Sequence, residues 1–196
     1  MLNNHHYLPR SSTSSVMSDA RIVNVVATGY LGAPLNLSDI PNNLPNVTYN
    51  PRKFSGAIYR VKDPKASFLL FSSGKFVCTG TTSVAAAKGA SLSMGEGLRT
   101  IYESPLTLSN FTIRNIVGTF STGFQISLEN FYDSRRSNCI YGPEYFPGLK
   151  FMPSKDEKKT VLLFVSGKVV ITGCKKEEEI YEIADYMKRI LLKFKR

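Results

Sequence analysis

Two stretches of the chain are near-copies of one another. Residues 68–80 read FLLFSSGKFVCTG and residues 161–173 read VLLFVSGKVVITG, identical at nine of thirteen positions. Asn24 and Asn115 stand 91 residues apart, Phe54 and Phe146 92, and Phe71 and Phe164 93. Self-similarity at one period marks a duplicated structural unit, so the second half must repeat whatever fold the first adopts. A surface drawn from both copies carries a pseudo-twofold axis and suits a partner with an approximate dyad of its own, as duplex DNA has.

The repeat divides the chain into a polar, Ser-rich tail over residues 1–20, expected to be disordered and holding both His5 and His6, then units over 21–110 and 111–196. In the first unit, IVNVVAT has the β-branched composition of a strand. LNLSDI predicts a short helical turn limited by Pro41. The segment from Asn46 to Gly80 predicts several strands joined by turns at Asn50-Pro51, Asp63-Pro64 and Ser73-Gly74. Over 81–102, Val84, Ala87, Ser91, Met94, Leu98 and Ile101 recur at helical spacing, with Gly89, Gly95 and Gly97 weakening the helix. The second unit repeats this order: a strand over 111–119, a short helix around SLENFYD, strands through YGPEYFPGLKF and VLLFVSGKVVITG, and a closing helix over 176–193. Ile180, Ile183, Ala184, Met187, Ile190 and Leu191 form that helix's apolar face. Glutamates at its start and Lys188, Arg189 and Lys193 near its end match the helix dipole. Strands joined by short turns form antiparallel sheets, so the fold class is α+β.

Alternate side chains of a strand face opposite ways. Phe68, Leu70, Ser72, Phe76 and Cys78 share one face of the first hairpin, and Leu69, Phe71, Ser73, Lys75, Val77 and Thr79 the other. The second copy sets Val161, Leu163, Val165, Val169 and Ile171 against Leu162, Phe164, Ser166, Lys168, Val170 and Thr172. Both faces are apolar at their centres. Either the sheet is sandwiched between two layers, or one face is covered by the two long helices and the other binds a partner. Asn24 and Asn115, at matched strand positions, favour a paired contact on the second face.

The formal net charge of +10 favours a polyanion, nucleic acid before an anionic membrane. No apolar run reaches the length of a membrane span, and no signal peptide opens the chain. Three cysteines without metal-ligand spacing fit a reducing intracellular compartment, with Cys78 a small core residue. No Cys/His pair, phosphate loop or metal cluster points to an enzyme, and no cofactor or metal is expected. The DNA minor groove fits the second face: its floor presents acceptors at A·T pairs, which Asn amides can donate to. Apolar side chains could pack on its sugars, phenylalanines could wedge between base steps, and rim lysines could meet phosphates.

The motifs VVATG-LG, NPRKF, YRVKDPKA, FSSGK-VCTG, RNIVG, YGPEYFPG and LLFVSGKVVITG resemble the core domain of the TATA-box-binding proteins over about residues 20–196. The resemblance implies a curved, saddle-shaped, ten-stranded antiparallel sheet with helices on its convex face. It implies a general transcription initiation factor of the nucleus that binds double-stranded TATA DNA in the minor groove, bends it and nucleates the preinitiation complex. By motif, Phe54, Phe71, Phe146 and Phe164 match the kinking phenylalanines, and Asn24 and Asn115 the groove-floor asparagines with Thr79 and Thr172 beside them. Val26, Val77, Val117 and Val170 match apolar contacts, and Leu69 and Leu162 the residues beside the wedges. Lys53, Arg60, Ser73, Lys75, Ser166 and Lys168 match backbone contacts.

The chain departs from the family pattern at several places. Phe151-Met152 replaces a Tyr-Arg pair, which moves a phosphate contact to Lys155 or Lys158 or removes it. GPEYF replaces Glu-Pro-Glu-Leu-Phe, so Gly142 and Tyr145 alter the TFIIB-binding stirrup while Glu144 stays. The helix of the first repeat keeps Lys88 and Arg99 but gains glycines and Glu96, which affects TFIIA and negative regulators. The resemblance therefore implies a divergent lineage or a related paralogue. TFIIB, at Glu144 and Tyr145, TFIIA and the RNA polymerase machinery are the expected partners, with a homodimer when DNA is absent. A protein-interaction scaffold on the same fold, or altered DNA specificity, is the alternative.

Overall fold

The computed structural model describes residues 19–102, 106–154 and 158–196. The expected tail, with His5 and His6, and the candidate Lys155 lie outside the described residues, although Ala20, assigned to that tail, is buried.

In chain order the elements are β1 (Arg21–Tyr30), α1 (Ile40–Asn43), β2 (Val47–Thr48), β3 (Ala57–Lys62), β4 (Lys65–Leu70), β5 (Lys75–Thr81) and α2 (Val84–Arg99). The second half runs β6 (Ser109–Ser121), α3 (Leu128–Ser134), β7 (Cys139–Gly142), β8 (Phe146–Phe151), β9 (Thr160–Leu163), β10 (Lys168–Cys174) and α4 (Glu177–Leu191). Among the described residues the strands form the expected ten-stranded antiparallel sheet, in the order β2-β3-β4-β5-β1-β6-β10-β9-β8-β7. The order reads the same inward from either end, as the duplication requires.

By contact the chain divides into two compact units. The first comprises Ile22–Gly118 with Lys175–Glu177, and the second Thr119–Cys174 and Glu178–Arg196 with residues 19–21. In the first, α2 packs on β3, β4 and β5. Its buried stripe is Ala87, Ala90, Ser91, Met94, Gly95 and Leu98. Opposite it lie the buried Phe68, Leu70, Phe76 and Cys78, with the Phe68 and Phe76 rings edge-to-face at 5.8 Å. Burying each large apolar side chain contributes roughly 1.5–3 kcal/mol. In the second unit the buried residues include Leu149, Phe151, Val161, Leu163, Val169, Ile171 and the Ile180, Ile183, Ala184, Met187, Leu191 face of α4. Ile190, expected on that face, is half-buried at its flank.

The short first helix differs from expectation. Pro41 does not limit a turn over LNLSDI; it stands in the first turn of Ile40–Asn43. A proline there forfeits no helical hydrogen bond and its fixed φ suits the helix. Helix α2 is also shorter than the periodicity predicts. Ser83 starts it, its hydroxyl accepting the Ala86 N–H at 3.0 Å, and the Glu177 carboxylate accepts the Val84 N–H at 2.6 Å. Ile101 falls beyond its end, half-buried.

Candidate nucleic-acid interface

The hairpin alternation holds along the strands and stops at the turns. Leu69 pairs with Val77 across β4–β5, and Leu162 with Val170 across β9–β10; all four are half-buried, on the face away from the buried side chains. Ser72 and Val165, assigned to the buried face, lie in the turns instead, Ser72 exposed and Val165 half-buried. Each turn is a three-residue loop. Phe71 N–H donates to Lys75 O at 3.0 Å and Phe164 N–H to Lys168 O at 3.1 Å. Gly74 and Gly167 close the loops at φ of +83° and +87°, a left-handed conformation natural to glycine. The loops are also tied from behind. Leu31 and Leu35 N–H donate to Gly74 O and Ser72 O, and Thr122 and Ile126 N–H to Gly167 O and Val165 O. Ser73, Lys75, Ser166 and Lys168 are thereby presented to solvent.

Each loop carries a phenylalanine that meets a second one from elsewhere in its own unit. Phe54 and Phe71 lie edge-to-face with centroids 6.1 Å apart at 69°. Phe146 and Phe164 lie 5.9 Å apart, also at 69°. Phe54 remains 39% exposed and Phe146 44%, so an apolar edge is held in water in both units. Residues 56 and 148 make this possible. A Cβ on Gly56 would come within 2.7 Å of the Phe54 ring, and one on Gly148 within 2.6 Å of Phe146 and 2.9 Å of Phe164. These glycines are part of the site and escape a reading by residue chemistry; the repeated Phe-x-Gly at 54–56 and 146–148 is the signal that finds them.

Asn24 is half-buried on β1 and its orientation is set by the chain itself. The Asn24 Oδ1 accepts the Gly80 N–H at 2.8 Å and the Thr79 hydroxyl at 3.1 Å. Two donors converging on one atom identify it as the oxygen, so the amide nitrogen faces away. Gly80 can donate because β5 bulges there: Val25 pairs with Thr81 but Ala27 with Cys78, and Gly80 takes φ of +90°. Gly173 in the second copy takes φ of +91°. Thr28 pairs with Val77, setting Val26 and Thr28 on the face of Val77 and Thr79. Asn115, Val117 and Thr172 are half-buried on β6 and β10.

Arg60 on β3 and Lys53 in the turn before it are exposed. Glu144 and Tyr145 sit in the β7–β8 turn, where Tyr145 is 90% exposed. Phe151 is buried on β8, its ring 5.3 Å from Phe131, and so belongs to the core, whereas Lys158 is exposed. Burial pushes the Cys78 thiol up to about 11 against an opposing hydrogen bond with Ser91, and Cys139 up to about 11 against the opposing charge of Arg135. Among the described residues no His, Cys, Asp and Glu side chains group to hold a metal ion. In each unit, half-buried apolar and amide side chains share a face, with an aromatic pair that has one exposed ring and with exposed cations.

The family described as transcription factor TFIID (or TATA-binding protein, TBP) matches residues 19–101 and 110–194. This chain belongs to the TATA-binding protein family. It is 45% identical over 159 residues to TATA-box-binding protein 2 of Entamoeba histolytica, covering 81% of this chain and 74% of that protein. It is 37% identical over 187 residues to TATA-box-binding protein of Saccharomyces cerevisiae, covering 95% and 76%. A solved structure of Methanococcus jannaschii TBP superposes with a TM-score of 0.70 at 35% identity, over 88% of this chain and 96% of that one. The two family matches fall on the two halves of the duplication, so family membership rests on both repeats.

Proposed function

We propose that this TATA-binding protein family member is a nuclear, non-enzymatic general transcription initiation factor that binds A·T-rich, TATA-type promoter DNA in the minor groove. Its mechanism is deformation. Phe54 with Phe71, and Phe146 with Phe164, wedge into two base steps, each unstacked at about a few kcal/mol, and the opened groove covers the apolar row of Val26, Val77, Val117, Val170, Leu69 and Leu162. Steps such as TA deform most cheaply, which contributes to sequence preference.

The observation that carries this reading is Asn24. With its oxygen occupied by Gly80 and Thr79, it offers only N–H donors, the complement of a groove floor that presents only acceptors at A·T pairs. Asn115 is its counterpart, with Thr79 and Thr172 beside the two. Lys53, Arg60, Ser73, Lys75, Ser166 and Lys168 contact the sugar-phosphate backbone. The first repeat, 21–110, supplies eleven of these contacts and the second, 111–196, nine, behind a polar tail. Glu144 and Tyr145 form the TFIIB contact, TFIIA and the polymerase machinery join the complex, and the apolar face pairs two copies when DNA is absent.

The test is end-to-end FRET on a short duplex carrying a TATA element, beside an A·T-free duplex, at two salt concentrations. We expect a TATA-dependent shortening that weakens with salt. The double variant Phe71→Ala, Phe164→Ala keeps its fold by circular dichroism and loses most of the shortening. Equal binding to both duplexes without bending returns the protein to the scaffold reading, and undiminished bending by the double variant removes the wedge assignment.

A further inference from the structure

We infer that Arg114 is a DNA-phosphate contact in the cleft beside the first unit's hairpin, present in one repeat only. The inference rests on the DNA-binding reading above. In the first unit a cleft of about 690 Å³ is lined by residues including Thr28, Phe71, Ser73, Lys75, Asn110 and Arg114. In the second, a cleft of about 650 Å³ is lined by residues including Asp19, Arg21, Thr119, Ser166 and Lys168. Ser73 and Ser166, and Lys75 and Lys168, differ by 93 in number, and Thr28 and Thr119, and Asp19 and Asn110, by 91. These are the offsets of the duplication, so one cleft is made twice.

Its charge is not duplicated. Where the first cleft has the neutral Asn110, the second has Asp19, whose carboxylate is 88% exposed and 3.6 Å from Lys188. The counterpart of Arg114 is Val23, apolar and 40% exposed. The first cleft thus sets Arg114 and Lys75 together with no carboxylate in its lining, whereas the second sets Arg21 and Lys168 beside Asp19, a carboxylate that already faces Lys188. Like charges held side by side are unfavourable without a partner of opposite sign, and a phosphate is that partner.

The geometry of Arg114 suits it to this role. Its Nε donates to the Thr28 hydroxyl at 2.8 Å, which orients the guanidinium on the face that carries Val77. Its backbone carbonyl accepts from the Lys175 ammonium, adding a further cation behind it. Among the described residues the two terminal nitrogens carry no bond, leaving the planar edge that binds a phosphate through two parallel N–H donors.

The competing account is that Arg114 merely ties β6 to β1 through Thr28. Salt dependence separates the two, because a structural tie releases no counterions. Binding to a labelled TATA duplex would be measured by anisotropy between about 50 and 200 mM KCl for the unmodified chain, Arg114→Gln, Arg114→Lys and a control, Lys88→Gln, which removes one exposed charge from α2. For Arg114→Gln we expect affinity about tenfold lower at about 0.1 M salt and a log–log salt slope shallower by about 0.9. The loss should be equal on TATA duplexes of different flanking sequence, with the FRET change at saturation unaltered. Arg114→Lys should keep the slope, and Lys88→Gln should change neither quantity. An unchanged slope for Arg114→Gln, a loss confined to one base pair, or the same loss for Lys88→Gln overturns the inference while leaving the DNA-binding reading intact. An unmodified chain that binds none of the duplexes overturns both.

Discussion

Asn24 shows how a single side chain acquires direction. Its two donors come from one strand, and the second of them, Gly80 N–H, is available only because that strand bulges. The Asn24→Asp substitution tests the consequence. A carboxylate at this position could still accept from Thr79 and Gly80, so the variant should unfold within about 1 kcal/mol of the parent in urea. Its outward group would be an acceptor facing acceptors, and TATA affinity measured by anisotropy should fall at least about tenfold. The cysteines give a second residue-scale expectation. Burial holds Cys78 and Cys139 at about 11, above an ordinary value of 9.0. As pH rises from about 9 to 11, an unfolded chain loses thiol protons that the folded chain keeps. Their contribution is therefore whole below about pH 9 and is lost as pH rises toward about 11. The urea midpoint should fall between about pH 8.5 and 10.5, and less steeply in Cys78→Ala.

At the scale of elements, helix α2 carries three glycines with different reasons for being there. A Cβ on Gly95 would lie 4.0 Å from Leu31 and one on Gly89 3.5 Å from Pro64, both ordinary contacts. On Gly97 it would collide with the Tyr59 hydroxyl, so that glycine lets the helix approach β3. Gly95→Ala should stabilise the protein by about 0.5–1 kcal/mol, and Gly97→Ala should destabilise it by about 1–3 kcal/mol, read as opposite shifts in Tm. The same helix marks what can be read from the chain alone. Its apolar stripe and the paired hairpins are legible because helical period, strand alternation and turn glycines are local signals. The roles of Gly97, Gly56, Gly148 and the Gly80 bulge are not, because each depends on a side chain distant in sequence. Pro41 misleads because a proline that ends one helix can begin another. Phe151 reads only as a phosphate contact moved or lost, and its place against Phe131 needs the packing of α3 on the sheet. The four phenylalanines proposed as wedges are found through the repeat, but their shared edge-to-face angle belongs to the tertiary structure.

For the whole molecule, the excess of ten positive charges and the cations around both hairpins set a strong dependence on ionic strength. About four to seven phosphate contacts, at a slope near −0.9 each, lower affinity by roughly two to four orders of magnitude between 50 and 200 mM salt. A much weaker dependence in a titration would mean that the basic residues mostly face water rather than DNA. The duplication repeats the phenylalanine pairs but not Arg114, so a mutation in one repeat need not have the effect of its twin. The burial of all three cysteines has a practical consequence for such measurements. At neutral pH the folded chain presents no reactive thiolate to a maleimide dye. A cysteine introduced at an exposed position such as Lys88 would then be the single point of fluorophore attachment, and the native sequence can serve as its own unlabelled background.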